Sequence, residues 1–514
     1  MCGFVCLWNV EDEALAAEMI RRIAHRGPDD VAVMRHPRAP VTMAHCRLSI
    51  IGPEDGAQPI RAMGDMLVAN GEIYNHADLR AILGEAAFGT ESDSETILHL
   101  FRSGQARGMG RWIDRLDGMF AFVLATPDRI VAARDPLGIK PLYVARIRSG
   151  GGWGRAFASE LKAFDGLPVS SVEAIPPGHL YDSRTGWRQW YRTPAGAAEP
   201  EPGFDAEHCA HELRLVLEEA VAKWMVADVE VGSFLSGGLD SSIIAAIAQR
   251  VRQAQGLGPL KTFAVGTEGS PDLAAARAVA EHIGADHHER AFTARDVADA
   301  LPHVIYHLES ADVDLVRSAV PTLFAARLAR AEVKAVLTGE GADELFAGYG
   351  YHHDYVDDPR ALADELTRSL GTMHNINLQR VDRVTMSESL EARTPFLDRD
   401  LIDFAQSIPA TLKLRRTDPE AVESTGETTE KWILRRACAD LLPEALVWRK
   451  KAQFDEGSGT VDALREALAM LGADGGREAE AALYERILRE RFADPRRILE
   501  AAGSWASGRV AAAG

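Results

Sequence analysis

Cys2 becomes the first residue of the chain once Met1 is removed, and it then carries a thiol and a free α-amine together. An α-amine titrates near ~8, so it can serve as general base for the adjacent nucleophile without a histidine. Further polar segments follow in order: HRGPDD (25–30), RLSI (47–50), NGEIYN (70–75), ESDSE (91–95) and RDPLGIKPLY (134–143). The planar fork of Arg47 can pair with an α-carboxylate and Asp93 with an α-ammonium. Asn70 and the backbone N–H of Gly71 can form an oxyanion hole. Glu72 can hold the substrate end or the loop. Singly, NGE reads as a hairpin turn and RGPDD as a capped loop. Together, behind a second-position cysteine, they suit the handling of glutamine.

A second chemistry lies further on. SGGLDSS (236–242) falls where a strand ends and a helix begins. Gly237 and Gly238 let the backbone approach a ligand closely, and the helix start offers unpaired N–H groups to an anion. Ser236, Ser241 and Ser242 add hydroxyl donors for phosphate oxygens. Asp240 repels a bare polyphosphate, a conflict that Mg2+ resolves, because that ion takes one or two carboxylates plus phosphate oxygens. TGEGADELFAGY (338–349) brings Glu340, Asp343 and Glu344 to the carboxyl end of a sheet, where open α/β sheets bind ligands. Asp240 and Asp343 can hold the same metal. There is no G-x-x-x-x-G-K-[ST], which excludes a Walker-type NTPase. WRKKAQF (448–454) adds three consecutive cations, of which Lys451 can neutralise pyrophosphate.

Two kinds of scaffold must carry these residues. Up to about residue 193 the chain is rich in strands: 65–75 and 117–128 are short apolar runs bounded by turn residues, with helices at 12–25 and 93–103. TPAGAAEPEPGFDA (193–206) has no apolar pattern and reads as a linker. Beyond it lies an amphipathic helix (207–226), then strands at 229–235, 261–267 and 333–338 alternating with helices at 241–251, 272–284 and 317–331. That order predicts a parallel sheet covered by helices. The last fifty residues read as polar-faced helices, including 479–492, and an Ala-rich tail. His303 and His307, four apart, imitate a zinc pair, but with no third ligand they read as helix packing; His287–His288 and His352–His353 read likewise.

Composition bounds the rest. Against 57 Lys plus Arg stand 76 Asp plus Glu, a net charge of −19. Such an acidic body is a poor candidate for sequence-independent nucleic-acid binding. No apolar run approaches the ~18 residues that span a bilayer. Five cysteines without a C-x-x-C pair, and acidic residues ahead of the first basic one, point to a reduced, cytoplasmic protein.

SGGLDSS resembles the pyrophosphate loop of the PP-loop ATP pyrophosphatases, which cleave ATP between the α and β phosphates. From Cys2 to about Phe454 the whole chain resembles the glutamine-hydrolysing asparagine synthetases of the bacterial B type; GSPD (269–272) and SLEARTPFLD (389–398) are also familiar from that family. The resemblance implies a class II, Ntn-type glutaminase domain at 2–193, an α-β-β-α sandwich. A linker follows at 194–206, then an α/β ATP-dependent synthetase domain with helices on both faces at 207–460. A helical extension of unknown role takes 461–514. It implies that Cys2 frees ammonia from glutamine, and that ammonia passes through an internal tunnel to an aspartate adenylated by ATP and Mg2+. Leu235 and Val265 would line the adenine pocket, Thr338 and Gly339 touch the nucleotide, and Glu340 assist ammonia attack. Arg317 is the candidate for the acceptor α-carboxylate, and a homodimer is the family expectation. One departure stands out: ADVDLVRSAVP (311–321) is more apolar than an aspartate pocket suggests, and the compared enzymes carry hydroxyl residues near Asp314 and Leu315. The alternatives are an amidotransferase acting on another carboxylate, a β-lactam synthetase type with an idle glutaminase half, a catalytically idle regulatory or binding protein, and a PP-loop tRNA-modifying enzyme.

Overall fold

A computed structural model describes residues 2–106, 111–149, 152–450 and 458–501. The first half is two six-stranded antiparallel sheets laid face to face. In one, the order is 169–174, 143–149, 152–158, 2–8, 41–47 and 30–35; in the other it is 186–189, 179–182, 129–134, 118–126, 65–73 and 60–62. Alternation along each strand sends Phe4, Cys6, Met43, Val68 and Val123 into the space between the sheets, and the opposite set outward. Helix Glu13–Arg22, capped by the Asp12 carboxylate, packs Ala16, Met19 and Ile20 against Val5 and Leu7 on one outer face. Helices His76–Leu83 and Glu95–Ala106 cover the other. The result is an α-β-β-α sandwich.

The second half is built on a five-stranded parallel sheet, ordered 286–291, 261–266, 231–234, 335–337 and 391–393. Helices Ala206–Trp224, Leu239–Ala254 and Pro271–Ile283 cover one face, while Val313–Arg330 packs on the other through Ala326 and Ala329. Two of the five strands, Asp286–Ala291 and Glu391–Arg393, escape the sequence pattern. The first is an edge strand that is polar up to Ala291, and it carries His287 and His288, so those two residues belong to a sheet and not to a helix. The second is three residues long and buries charges. The segment between the halves is a strap, not a free tether. Gly196 N–H donates to Thr367 Oγ1 at 3.0 Å, Ala197 N–H to the Gln406 carbonyl at 2.9 Å, and Ala410 N–H to the Ala197 carbonyl at 2.9 Å.

The halves share their interiors. One apolar cluster joins Leu48, Tyr74 and Met119 to Leu213 and Phe396, and another joins Val5 and Met19 to Leu301 and Leu323. Charges cross the same boundary. Arg26, fully buried, donates to Asp382 at 2.8 and 3.1 Å and to Glu160 at 2.6 Å. Lys162 lies 3.0 Å from Glu309, which also accepts from Arg383 at 3.1 Å. Burial alone would raise the Asp382 carboxyl; Arg26 and Lys140 outweigh it and hold the group below its usual range. His307 takes part in this contact through its ring, 4.5 Å from His25 and 4.4 Å from His303, and His303 reaches Glu388 at 3.2 Å.

Candidate active sites

The register of the first sheet places Cys2 opposite Arg47. The backbone N–H of Cys2 donates to Asn70 Oδ1 at 3.0 Å, and its carbonyl accepts from Arg26 Nε at 3.0 Å. Its Sγ lies 4.0 Å from the Leu48 carbonyl. Burial pushes the thiol up, so thiolate has to be generated by proton transfer. Asn70, Gly71 and Glu72 follow one another on strand Asp65–Ile73. Gly71 has φ +133°, and a Cβ there would meet the Met119 carbonyl oxygen at 1.9 Å, so only glycine fits. Asp93 Oδ2 accepts from Ile73 N–H at 2.6 Å. Arg47 is wrapped by the next loop, donating to the carbonyls of Pro53 (3.1 Å), Ile51 (3.4 Å) and Gly52. Among the described residues, Asn70 Nδ2 and Glu72 Oε2 are buried with no hydrogen-bond partner. Such atoms are costly unless a ligand answers them. Burial, and then the carboxylates of Glu391 and Asp93, drive the Glu72 carboxyl well above its usual value.

The second site is a cavity of about 610 Å3 at the carboxyl end of the parallel sheet. Leu235 and Val265 form part of its apolar wall, and Ser236, Gly238, Asp240, Ser241, Thr338, Gly339, Glu340, Asp343 and Arg317 also line it. The serine loop is internally bonded: Ser236 Oγ lies 3.0 Å from Ser241 Oγ, and Ser242 Oγ donates to the Gly238 carbonyl at 2.7 Å. Gly237 has φ +74°, and a Cβ there would meet Ala276 N at 2.6 Å. A Cβ on Gly339 would meet Ser241 N at 2.9 Å, which is how the 338–341 loop sits against the serine loop.

Charges in this cavity are paired with one another. Lys431 Nζ lies 2.5 Å from both Asp240 Oδ2 and Asp343 Oδ1. Burial would lower that ammonium, and the two carboxylates more than reverse it. Arg380 donates to Glu340 at 2.5 Å, and Arg449 reaches the Gly237 carbonyl and Asp272, each at 3.3 Å. Glu344 is 2% exposed and accepts from Tyr349 OH and Asn377 Nδ2, both at 2.6 Å; burial, then Asp343, raise its carboxyl to about 7. Arg317 lines the cavity but is held by Glu480. Lys451 lies outside the described residues. Lys431, Arg380, Arg449, Asn377 and Glu480 were not anticipated. Of these, Arg449 and Glu480 stood inside segments the sequence singled out, Arg449 in the basic run 448–454 and Glu480 in a helix, 479–492, that was given no role.

Among the described residues no group of three or more His, Cys, Asp or Glu can by itself hold a metal ion. The donor set nonetheless fits Mg2+. Asp240 Oδ1 is buried with no hydrogen-bond partner, and a cationic group already bridges Asp240 and Asp343. Two carboxylates plus phosphate oxygens are what that ion takes. Among the described residues no helix is long and apolar enough to cross a membrane.

A buried cysteine thiol beside an unanswered amide donor, and a cavity built on a Gly-Ser loop in the same chain, define a two-centre enzyme. Sequence comparison agrees with that class. Residues 1–178 match the glutamine amidotransferase domain, and residues 212–361 and 356–511 match asparagine synthase. A glutamine-hydrolysing asparagine synthetase of Triphysaria versicolor is 38% identical over 481 residues, covering 89% of this chain and 78% of that protein. One from Arabidopsis thaliana is 36% identical over 526 residues, covering 96% and 86%. A Bacillus subtilis glutamine phosphoribosylpyrophosphate amidotransferase structure is 20% identical, with TM-score 0.32, covering 50% of this chain and 64% of that one. The chain belongs to the glutamine-hydrolysing asparagine synthetase family.

Proposed function

We propose that the chain makes asparagine from aspartate, using glutamine as nitrogen donor and splitting ATP into AMP and pyrophosphate. The observation that carries this reading is the pair of unanswered buried groups, Asn70 Nδ2 beside Cys2 in one half and Asp240 Oδ1 beside the serine loop in the other. With Met1 removed, the α-amine of Cys2 accepts the thiol proton, and the sulfur attacks the glutamine amide carbon. Asn70 Nδ2 and the Gly71 N–H donate to the oxyanion. Arg47 holds the α-carboxylate and Asp93 the α-ammonium. Ammonia leaves, and water hydrolyses the thioester to glutamate.

In the second half, Ser236, Ser241 and Ser242 bind the β and γ phosphates, and Leu235 and Val265 enclose the adenine. Thr338 and Gly339 hold the nucleotide, and Lys431, Arg449 and Lys451 supply positive charge toward pyrophosphate. Asp240 and Asp343 would hold Mg2+, which supplies positive charge to the departing pyrophosphate. The aspartate side-chain carboxylate attacks the α-phosphorus, pyrophosphate leaves, and ammonia displaces AMP from the acyl carbon. Glu340, poised against Arg380, takes up the positive charge that grows on nitrogen. Arg317 meets the acceptor α-carboxylate. We read 2–193 as the glutaminase domain, 194–206 as linker, 207–460 as the synthetase domain and 461–514 as an extension, working as a cytoplasmic homodimer. Purified protein with Cys2 exposed should turn glutamine, aspartate and MgATP into asparagine, glutamate, AMP and pyrophosphate in equal amounts. Pyrophosphate release with another acid and none with aspartate would replace the acceptor.

A further inference from the structure

One wall of the nucleotide cavity is the first half of helix Val313–Arg330, which presents Asp314, Arg317, Ser318 and Thr322 to it. Both charged members are answered by the C-terminal extension. Arg317 Nε and Nη2 donate to the two oxygens of Glu480 at 2.9 and 2.6 Å. Asp314 accepts from Arg477 Nη1 and Nη2 at 2.9 and 2.6 Å. Arg477 and Glu480 are three residues apart on helix Arg477–Arg491, as Asp314 and Arg317 are on theirs, so each pair shares a helix face.

The geometry exceeds what attaching the helix requires. Leu483, Tyr484, Ile487 and Leu488 already bury an apolar face against the body. Glu480, in contrast, is a carboxylate only 1% exposed, fixed further by Tyr484 OH at 2.8 Å. Burying such a group is costly unless its partners are fixed. A guanidinium can take one carboxylate side-on, through Nε and one Nη, and keep donors on its other Nη for a second anion. Glu480 takes Nε and Nη2, which fixes the plane of Arg317, a residue that lines the cavity, and does not use Nη1.

We propose that helix Arg477–Arg491 is part of the acceptor site. Glu480 is a positioning residue that aims Arg317 at the acceptor's carboxylate, and Arg477 neutralises Asp314 so that the wall does not repel an anionic acceptor. The inference rests on the acceptor reading given above. It assigns a role to the extension that neither half-reaction by itself requires.

The test uses the full chain with Cys2 exposed. Pyrophosphate release is measured against aspartate at saturating MgATP and ammonia, with glutaminase rate and ATP KM as controls. Glu480→Gln, which keeps size and loses charge, should raise the aspartate KM by about tenfold or more while both controls stay within about twofold. Arg477→Gln, at an exposed site, should raise it by about three- to fivefold, and adding Asp314→Asn to that variant should restore it. An unchanged aspartate KM in both variants overturns the proposal. So does a loss shared equally by glutaminase, ATP KM and aspartate KM, which would make the helix merely structural. Wild-type protein that releases no pyrophosphate with aspartate strikes down the acceptor reading itself, and this inference with it.

Discussion

At Cys2 the reacting groups are set by neutral contacts, a side-chain amide and backbone carbonyls. The cysteine N–H is fixed on Asn70, Arg47 is ringed by carbonyls, and Gly71 is locked by contact with Met119. At the nucleotide cavity the groups are set by each other. Lys431 bridges Asp240 and Asp343, Arg380 holds Glu340, and Arg317 holds Glu480. Both sites have unanswered buried atoms, Asn70 Nδ2 and Glu72 Oε2 in the first and Asp240 Oδ1 in the second, but the second pairs most of its charges through salt bridges between side chains. The difference follows the substrates. A side-chain amide needs orientation and a few donors. A polyphosphate brings several charges, and a cavity already self-paired can exchange partners without leaving an isolated buried charge.

Cys2→Ala breaks the first side most deeply. Glutamine-dependent synthesis should fall by on the order of 10^4-fold or more, with ammonia-dependent synthesis retained, as parallel assays with the two nitrogen donors would show. Asp240→Asn attacks the second side. Pyrophosphate release should drop by on the order of 10^2- to 10^3-fold, because Lys431 loses a partner and the proposed Mg2+ position loses a ligand, while glutaminase rate is preserved. Asp382→Asn tests whether the two sides are held as one body. Taking from Arg26 one of its two carboxylates, and from buried Lys140 the carboxylate 3.8 Å away, should cost about 3–5 kcal/mol in unfolding experiments and raise glutamate formed per asparagine above unity. The smallest effect concerns Glu344. Its carboxyl titrates at about 7 in the fold against 4.5 in the open chain. The folded state therefore keeps a proton that the unfolded state has lost. The stability from protonated Glu344 is complete below 4.5 and disappears as pH rises through about 7. Glu344→Gln should remove that decline, so the Tm difference between variant and wild type should grow in the variant's favour across that window.

The parts legible in sequence were those where function confines residue type locally. SGGLDSS, NGE and Cys2 declare themselves because glycines, hydroxyls and a terminal thiol at fixed spacing have few other uses. Strands such as Lys261–Gly266 were legible from continuous apolar runs. Strand Asp286–Ala291 was not, because an edge position leaves it polar, and Glu391–Arg393 was not, because its buried side chains are charged. Lys431 reaches Asp240 across 191 positions, and Glu480 reaches Arg317 across 163. Nothing near either residue marks it. The helix expected from 317 begins at Val313 because Asp312 caps it, and that added turn carries Asp314 to the cavity wall.

Because the two halves share their apolar interiors, the order of synthesis on the ribosome acquires a meaning. The sandwich emerges first, with Val5 and Met19 waiting for Leu301 and Leu323, residues made close to three hundred codons later. At about 5–20 residues per second, that gap lasts some tens of seconds, on the order of 15 to 60, during which the nascent chain shows a sticky, half-built face. Splitting the gene within the strap would make the gap permanent, so the two fragments would have to be produced together in one cell to stay in solution.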